Sequence, residues 1–124
     1  MEVRPNASNM YQSEGRKRHL ERPGFHITEL QLSSTQCIPW HAHSFVQDTF
    51  YVLNGRIKVS MRDPVEEKVL AVGETFTVAP TRPHRVTNEE QSSCTFLVLQ
   101  GVGNFDFIPL ETRISGGQDA KLDK

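Results

Sequence analysis

Four residues of this 124-residue chain have the side chains and spacing to hold a metal ion: His41, His43, Asp48 and His84. His41 and His43 are separated by one residue. On a strand that spacing puts both imidazoles on one face, about 7 Å apart along the backbone. Two adjacent neutral imidazoles are poor core residues but good ligands for a divalent transition metal. Asp48 follows five residues after His43, and His84 comes after Pro80 and Pro83, where a rigid loop enters a strand. Imidazole and carboxylate donors suit Fe, Mn, Ni or Zn, and the missing thiolates argue against a closed structural zinc site. Unligated, Asp48 would instead be available as a general base. A second reading stays open on residue types alone: histidines in an exposed loop bind nothing.

The elements that would position these groups read as strands. Phe25–Leu32 is short and partly alternating. Thr49–Leu53 runs into Asn54-Gly55, then Arg56–Met61 follows. Asn-Gly between two such runs signals a two-residue hairpin, because both residues tolerate positive φ. Ile57, Val59 and Met61 fall on one face of the second run. Further short runs end at Gly73 and at Pro80, and Thr95–Leu99 closes the series. No 3.6-residue period extends over twelve residues. Short strands with regular turn signals predict an all-β sandwich or barrel.

Composition limits the rest. Lys+Arg is 14 and Asp+Glu is 15, so the formal charge is −1, without the basic excess of a nucleic-acid binder. No apolar run approaches the ~20 residues of a membrane span. The N-terminus lacks the apolar core of a secretory signal. Cys37 and Cys94 form no CxxC pair and read as small buried hydrophobes. The expected location is cytoplasmic. Apolar residues concentrate in 25–114, which predicts a barrel there, with an N-terminal arm over 1–24 and a short flexible tail over 115–124. Arg16-Lys17-Arg18-His19 reads as part of a solvated arm.

Two segments resemble the paired motifs of the cupin family. His41-Ala42-His43, Asp48 and Gly55 follow the first motif: His-x-His, a carboxylate five residues on, and a glycine seven further. Gly73, then Pro80-Thr81-Arg82-Pro83-His84 and Asn88, follow the second. The resemblance implies a jelly-roll, double-stranded β-helix barrel with one divalent metal near its mouth. It implies His41, His43 and His84 as ligands, Asp48 where the family usually has Glu, Gly55 as the hairpin glycine and Asn88 as the closing asparagine. It also implies a homodimer, with the arm a candidate to cross to the other subunit. Thr35 and Thr81 stand where glycine is usual, so the turn before His84 is expected to differ in shape.

The fold hosts many reactions, so function is argued from the site. The leading reading is a metal-dependent enzyme acting on a small, partly hydrophobic, oxygen-bearing molecule, with dioxygenase, isomerase and lyase chemistry all open. The alternative is a non-catalytic module that binds or senses a small ligand. Alternation predicts a pocket lined by Phe45, Phe50, Phe96, Val98 and Gln100, with Trp40 and Phe76 adding apolar wall. His26, Arg82 and Arg85 read as solvent-facing, and the glycines of 100–107 as turning the chain away from the barrel.

Overall fold

The computed structural model describes residues 11–111. The expected tail and the first ten residues of the expected arm lie outside them. The ten elements are all strands: β1 (Gly15–Arg22), β2 (Phe25–Leu32), β3 (Cys37–Ala42), β4 (Gln47–Asn54), β5 (Ile57–Met61), β6 (Glu66–Leu70), β7 (Thr75–Val78), β8 (His84–Asn88), β9 (Cys94–Gly101) and β10 (Ile108–Pro109). They form two five-stranded sheets, ordered β1-β2-β9-β4-β7 and β10-β3-β8-β5-β6. Every pairing is antiparallel.

Period-two alternation decides which residues face inward. Leu30 and Leu32 of β2, Phe50 and Val52 of β4, Ile57, Val59 and Met61 of β5, and Phe96 and Val98 of β9 all enter one core between the sheets. Each such side chain contributes roughly 1.5–3 kcal/mol on burial. Asn88, at the end of β8, ties the sheets together at one end. Its Nδ2 donates to the carbonyls of Leu32 and Ser92, at 3.2 and 2.9 Å.

Two expectations change. Asn54-Gly55 is not a hairpin: β4 and β5 belong to different sheets, and the dipeptide is the corner where the chain crosses between them. Gly55 has φ +82°, and a Cβ there would lie 3.0 Å from the Cys94 Cβ. The corner thus needs glycine both for its backbone and for close approach. Residues 15–22 are not a detached arm either. They form β1, which pairs with β2 of the same chain from Gly15 opposite Gln31 to Arg22 opposite Phe25. Its charged side chains suit an edge strand, where they discourage further pairing.

Gly55→Ala is expected to cost more than Gly73→Ala. Both have strongly positive φ, but nothing lies within 4 Å of a Cβ built on Gly73. Urea unfolding should show Gly73→Ala losing about 1–2 kcal/mol from backbone strain alone, with a further loss at Gly55 from the Cys94 contact. Equal losses would remove the close-approach argument.

Candidate metal centre

The histidines face the core because β3 carries a bulge. Ile38 pairs with Val86 and His41 with His84, so three residues of β3 span two of β8. The extra residue resets the alternation. Without it, Ile38 inward would mean His41 and His43 outward. With it, Ile38, His41 and His43 are all buried, while Trp40 turns outward beneath the Arg62 guanidinium, 4.0 Å from its ring centroid. On the facing sheet Asp48 pairs with Gln100. The site is therefore two cross-strand pairs, His41–His84 and Asp48–Gln100, facing each other across the barrel, with His43 just beyond the end of β3.

Each imidazole is oriented by a backbone carbonyl. His41 Nδ1 bonds to the Pro39 oxygen at 2.8 Å, His84 Nδ1 to the Arg82 oxygen at 2.9 Å, and His43 Nδ1 to the Asp106 oxygen. A carbonyl only accepts, so each Nδ1 carries the proton, and in the neutral ring each Nε2 presents a lone pair. The three Nε2 atoms converge on Asp48 Oδ2, at 3.0 Å from His43, 2.9 Å from His84 and 3.9 Å from His41. Gln100 Nε2 donates to the other oxygen, Oδ1, at 2.9 Å. Lone pairs aimed at a carboxylate repel unless a cation lies among them. All four donor atoms fall within 4.8 Å of one another. Donors at right angles on one ion at about 2.1 Å would sit about 3 Å apart, so the set fits a divalent transition metal. Asp48 reaches the imidazoles despite being a methylene shorter than Glu.

Burial pushes the His41 imidazolium down to about 4, against the pull of Asp48. Burial also opposes charge on His43, but its bond to Asp48 and the Asp106 carbonyl outweigh burial and raise it. For Asp48 burial acts upward; the nearby imidazoles of His41, His43 and His84 and the charge on His43 prevail and hold its carboxyl well below the usual range.

A cavity of about 30 Å³ opens on this cluster, lined in part by Phe50, Val98 and Gln100. That volume admits roughly two water-sized occupants. Of the five expected pocket residues, these three line it. Phe96 lies in the core, its ring 6.2 Å from that of Phe50. Phe45 does not line it: its side chain is 62% exposed, beside Gln47, Pro80 and Val102 outside the barrel. Phe76 sits at the core margin under Lys68. Arg82 bonds to Arg62 O, Pro64 O and Glu66 away from the cavity. Arg85 lines an outer groove with Trp40.

Several features were not anticipated. Residues 102–107 return over the site instead of turning away. Phe107 stacks on His41 at 4.4 Å and 10°, and Phe105 lies against His43 and His26. The Phe-x-Phe spacing is the one sequence signal for this. His26 is buried, not solvent-facing. Thr81 keeps the glycine-like turn, with φ 70°, and its N–H donates to the His43 carbonyl at 2.7 Å. Tyr11, Arg16 and Arg18 also line the cavity.

A two-sheet all-β barrel with a buried three-histidine, one-carboxylate cluster defines a class of small barrels with a candidate metal site. The sequence pattern of the cupin domain matches residues 32–100, more than half of the chain, and the chain belongs to the cupin family. No curated protein matches it. The fold is similar to that of a protein with a double-stranded β-helix domain from Klebsiella pneumoniae, at TM-score 0.70 and 23% identity, covering 89% of this chain and 86% of that one. A cupin-2 domain protein from Shewanella frigidimarina matches at TM-score 0.60 and 18% identity, covering 73% and 82%. An oxalate oxidase matches at TM-score 0.70 and 16% identity; the alignment covers 94% of this chain but 64% of that one.

The metal-free protein should lose stability on acidification. Between pH 6.5 and about 4 the unfolded chain protonates His41 while the folded chain does not, so the His41 contribution falls as pH falls in that window, by up to roughly 3 kcal/mol, and the raised His43 offsets part of that loss. Asp48, held low, adds a further loss at lower pH. Denaturant midpoints against pH should show this slope, and His41→Gln should flatten it.

Proposed function

We propose that this cupin binds one divalent transition metal, Fe, Mn, Ni or Zn, through His41, His43, Asp48 and His84, and acts as an enzyme on a small, partly hydrophobic, oxygen-bearing molecule. The observation that carries this reading is the convergence of three carbonyl-oriented Nε2 atoms on one buried carboxylate oxygen. A bound ion would supply a Lewis acid for a ligand oxygen and lower the pKa of bound water. The chain's own residues do the rest. Pro39, Arg82 and Asp106 carbonyls fix the imidazole tautomers. Gln100 holds Oδ1 so that Oδ2 faces the ring nitrogens, which supports Asp48 as a ligand over a general base. Phe50, Val98 and Phe107 exclude bulk water.

The small cavity under Phe105 and Phe107 favours the second reading, a module that binds a small ligand without converting it. Cys37 and Cys94 are free thiols, in keeping with the cytoplasm. Among the described residues no helix is long and apolar enough to cross a membrane. Tyr51 and Leu53 are exposed on the outer face of β4, which supports a homodimer; sedimentation of a compact monomer at micromolar concentration would remove it.

Elemental analysis of protein purified without an affinity metal column should find close to one metal per chain. His41→Ala and His84→Ala should each weaken retention at least tenfold. Metal content that is negligible and insensitive to both changes would sink the metal reading. Oxygen uptake and turnover of small enols, 1,3-dicarbonyls and sugar acids then separate the two functions: binding without turnover of any would favour the module.

A further inference from the structure

Two guanidinium groups and one buried hydroxyl share the cavity with the metal-ligand cluster without belonging to it. Arg16 and Arg18 lie two residues apart on β1, opposite Leu30 and Thr28 of β2. Leu30 and Thr28 face the barrel interior, and all four residues line the cavity that contains His41, His43 and Asp48. Arg16 is half-buried. Its guanidinium stands 5.1 Å from the centroid of the Tyr11 ring and donates to the Tyr11 hydroxyl at 2.6 Å. Arg18 reaches Glu21 at 3.3 Å, and the Glu21 side chain is 65% exposed. Thr28 is 3% exposed, yet its Oγ1 has no hydrogen-bond partner among the described residues. A buried hydroxyl left without a partner is costly, so its retention beside the half-buried Arg16, with the exposed Arg18 at the cavity rim, points to an occupant with oxygen atoms.

We infer that Arg16, Arg18 and Thr28 form an anion subsite that selects small carboxylate-bearing ligands for the metal centre. Such a ligand is a short 2-hydroxy acid, 2-oxo acid or dicarboxylate, with its carboxylate on the guanidiniums and the Thr28 hydroxyl, and seating it requires the Phe105 or Phe107 ring to swing aside from the small cavity. The inference rests on the metal reading above and adds the substrate class to it. Charge supports it. Asp48 offsets one of the two positive charges of a divalent ion, and Arg16, whose guanidinium bonds to the Tyr11 hydroxyl, adds another. Among the described residues Glu21 is the acid paired with Arg18, and it faces solvent. An anion balances this excess, and a neutral polyol or ketone does not. Geometry supports it too, because a guanidinium fork matches a carboxylate edge with two parallel N–H bonds. Lys17 and His19, exposed on the same strand, do not line the cavity.

The test is calorimetric titration of metal-loaded protein with glycolate and with glycolamide, which are nearly matched in shape but differ in charge. Glycolate should bind at least about tenfold more tightly. Arg16→Gln and Arg18→Gln should each remove most of that preference, and Lys17→Gln should leave it intact. Arg16→Lys keeps the charge without the fork and should retain part of it, which guards against a folding defect in the glutamine variant. Thr28→Val should weaken glycolate binding while raising the thermal midpoint, because it removes an unpartnered hydroxyl. Equal affinity for the two probes, or a preference untouched by both glutamine variants, overturns the subsite. Metal content measured on the same samples keeps the two readings apart. If the wild-type chain holds no metal, the metal reading fails, and titration of that chain with formate still decides the subsite by its dependence on Arg16 and Arg18.

Discussion

One carboxylate buried among three imidazoles sets the terms for the rest of the fold. Asp48 is 2% exposed, and an isolated charge there would cost several kcal/mol. Gln100 donates to its Oδ1, and the three Nε2 lone pairs around its Oδ2 frame a place for a cation that would neutralise it. Those contacts require His41 and His84 to be cross-strand neighbours on one sheet and Asp48 and Gln100 on the other. A one-residue slip in either pair would turn a ligand out of the barrel. The bulge between Ile38 and His41 both turns the histidines inward and contains Pro39, whose carbonyl orients His41. Register, bulge and tautomer are thus one constraint.

The ligand cluster was legible because its members are punctuated locally, by His-x-His, by Asp48 at the head of an apolar run, and by His84 after two prolines. Alternation likewise placed Ile57, Val59, Met61, Phe50 and Val98 correctly. What stayed hidden was decided at long range. A hairpin and an inter-sheet corner both demand positive φ at Gly55, so local turn chemistry cannot tell them apart; β4 pairs with β9 and β7 instead of β5. Arg16 and Arg18 look like a solvated arm because edge strands carry charge as arms do. Phe45 fails for another reason: it lies in the connection between β3 and β4, where strand alternation does not apply.

Several local rules are broken at this end of the barrel, and the breaks cluster around the ligands. Thr81 adopts φ 70°, a conformation that costs a β-branched residue on the order of 1–3 kcal/mol. Its N–H holds the His43 carbonyl, so the turn supports the His-x-His segment directly. Thr28 leaves a hydroxyl unpaired in the same cavity. At the opposite end Asn88 satisfies several backbone groups at once. The strained turn and the unpaired hydroxyl thus lie at the end of the barrel that carries the candidate site.

The aromatic cover carries the same logic one step further. Asp106 sits between Phe105 and Phe107, and its carbonyl fixes His43 while its carboxylate accepts the Ser44 N–H at 2.9 Å. Moving this segment away as a loop would therefore take the orienting carbonyl from His43 and free its tautomer. Rotating the two phenyl rings about their own side-chain bonds would widen the cavity and leave Asp106 in place. The site can admit a larger ligand and keep its donor geometry only by the second route. Phe107, stacked flat on His41, is then the side chain whose rotamer sets how much of the candidate metal centre a ligand can reach.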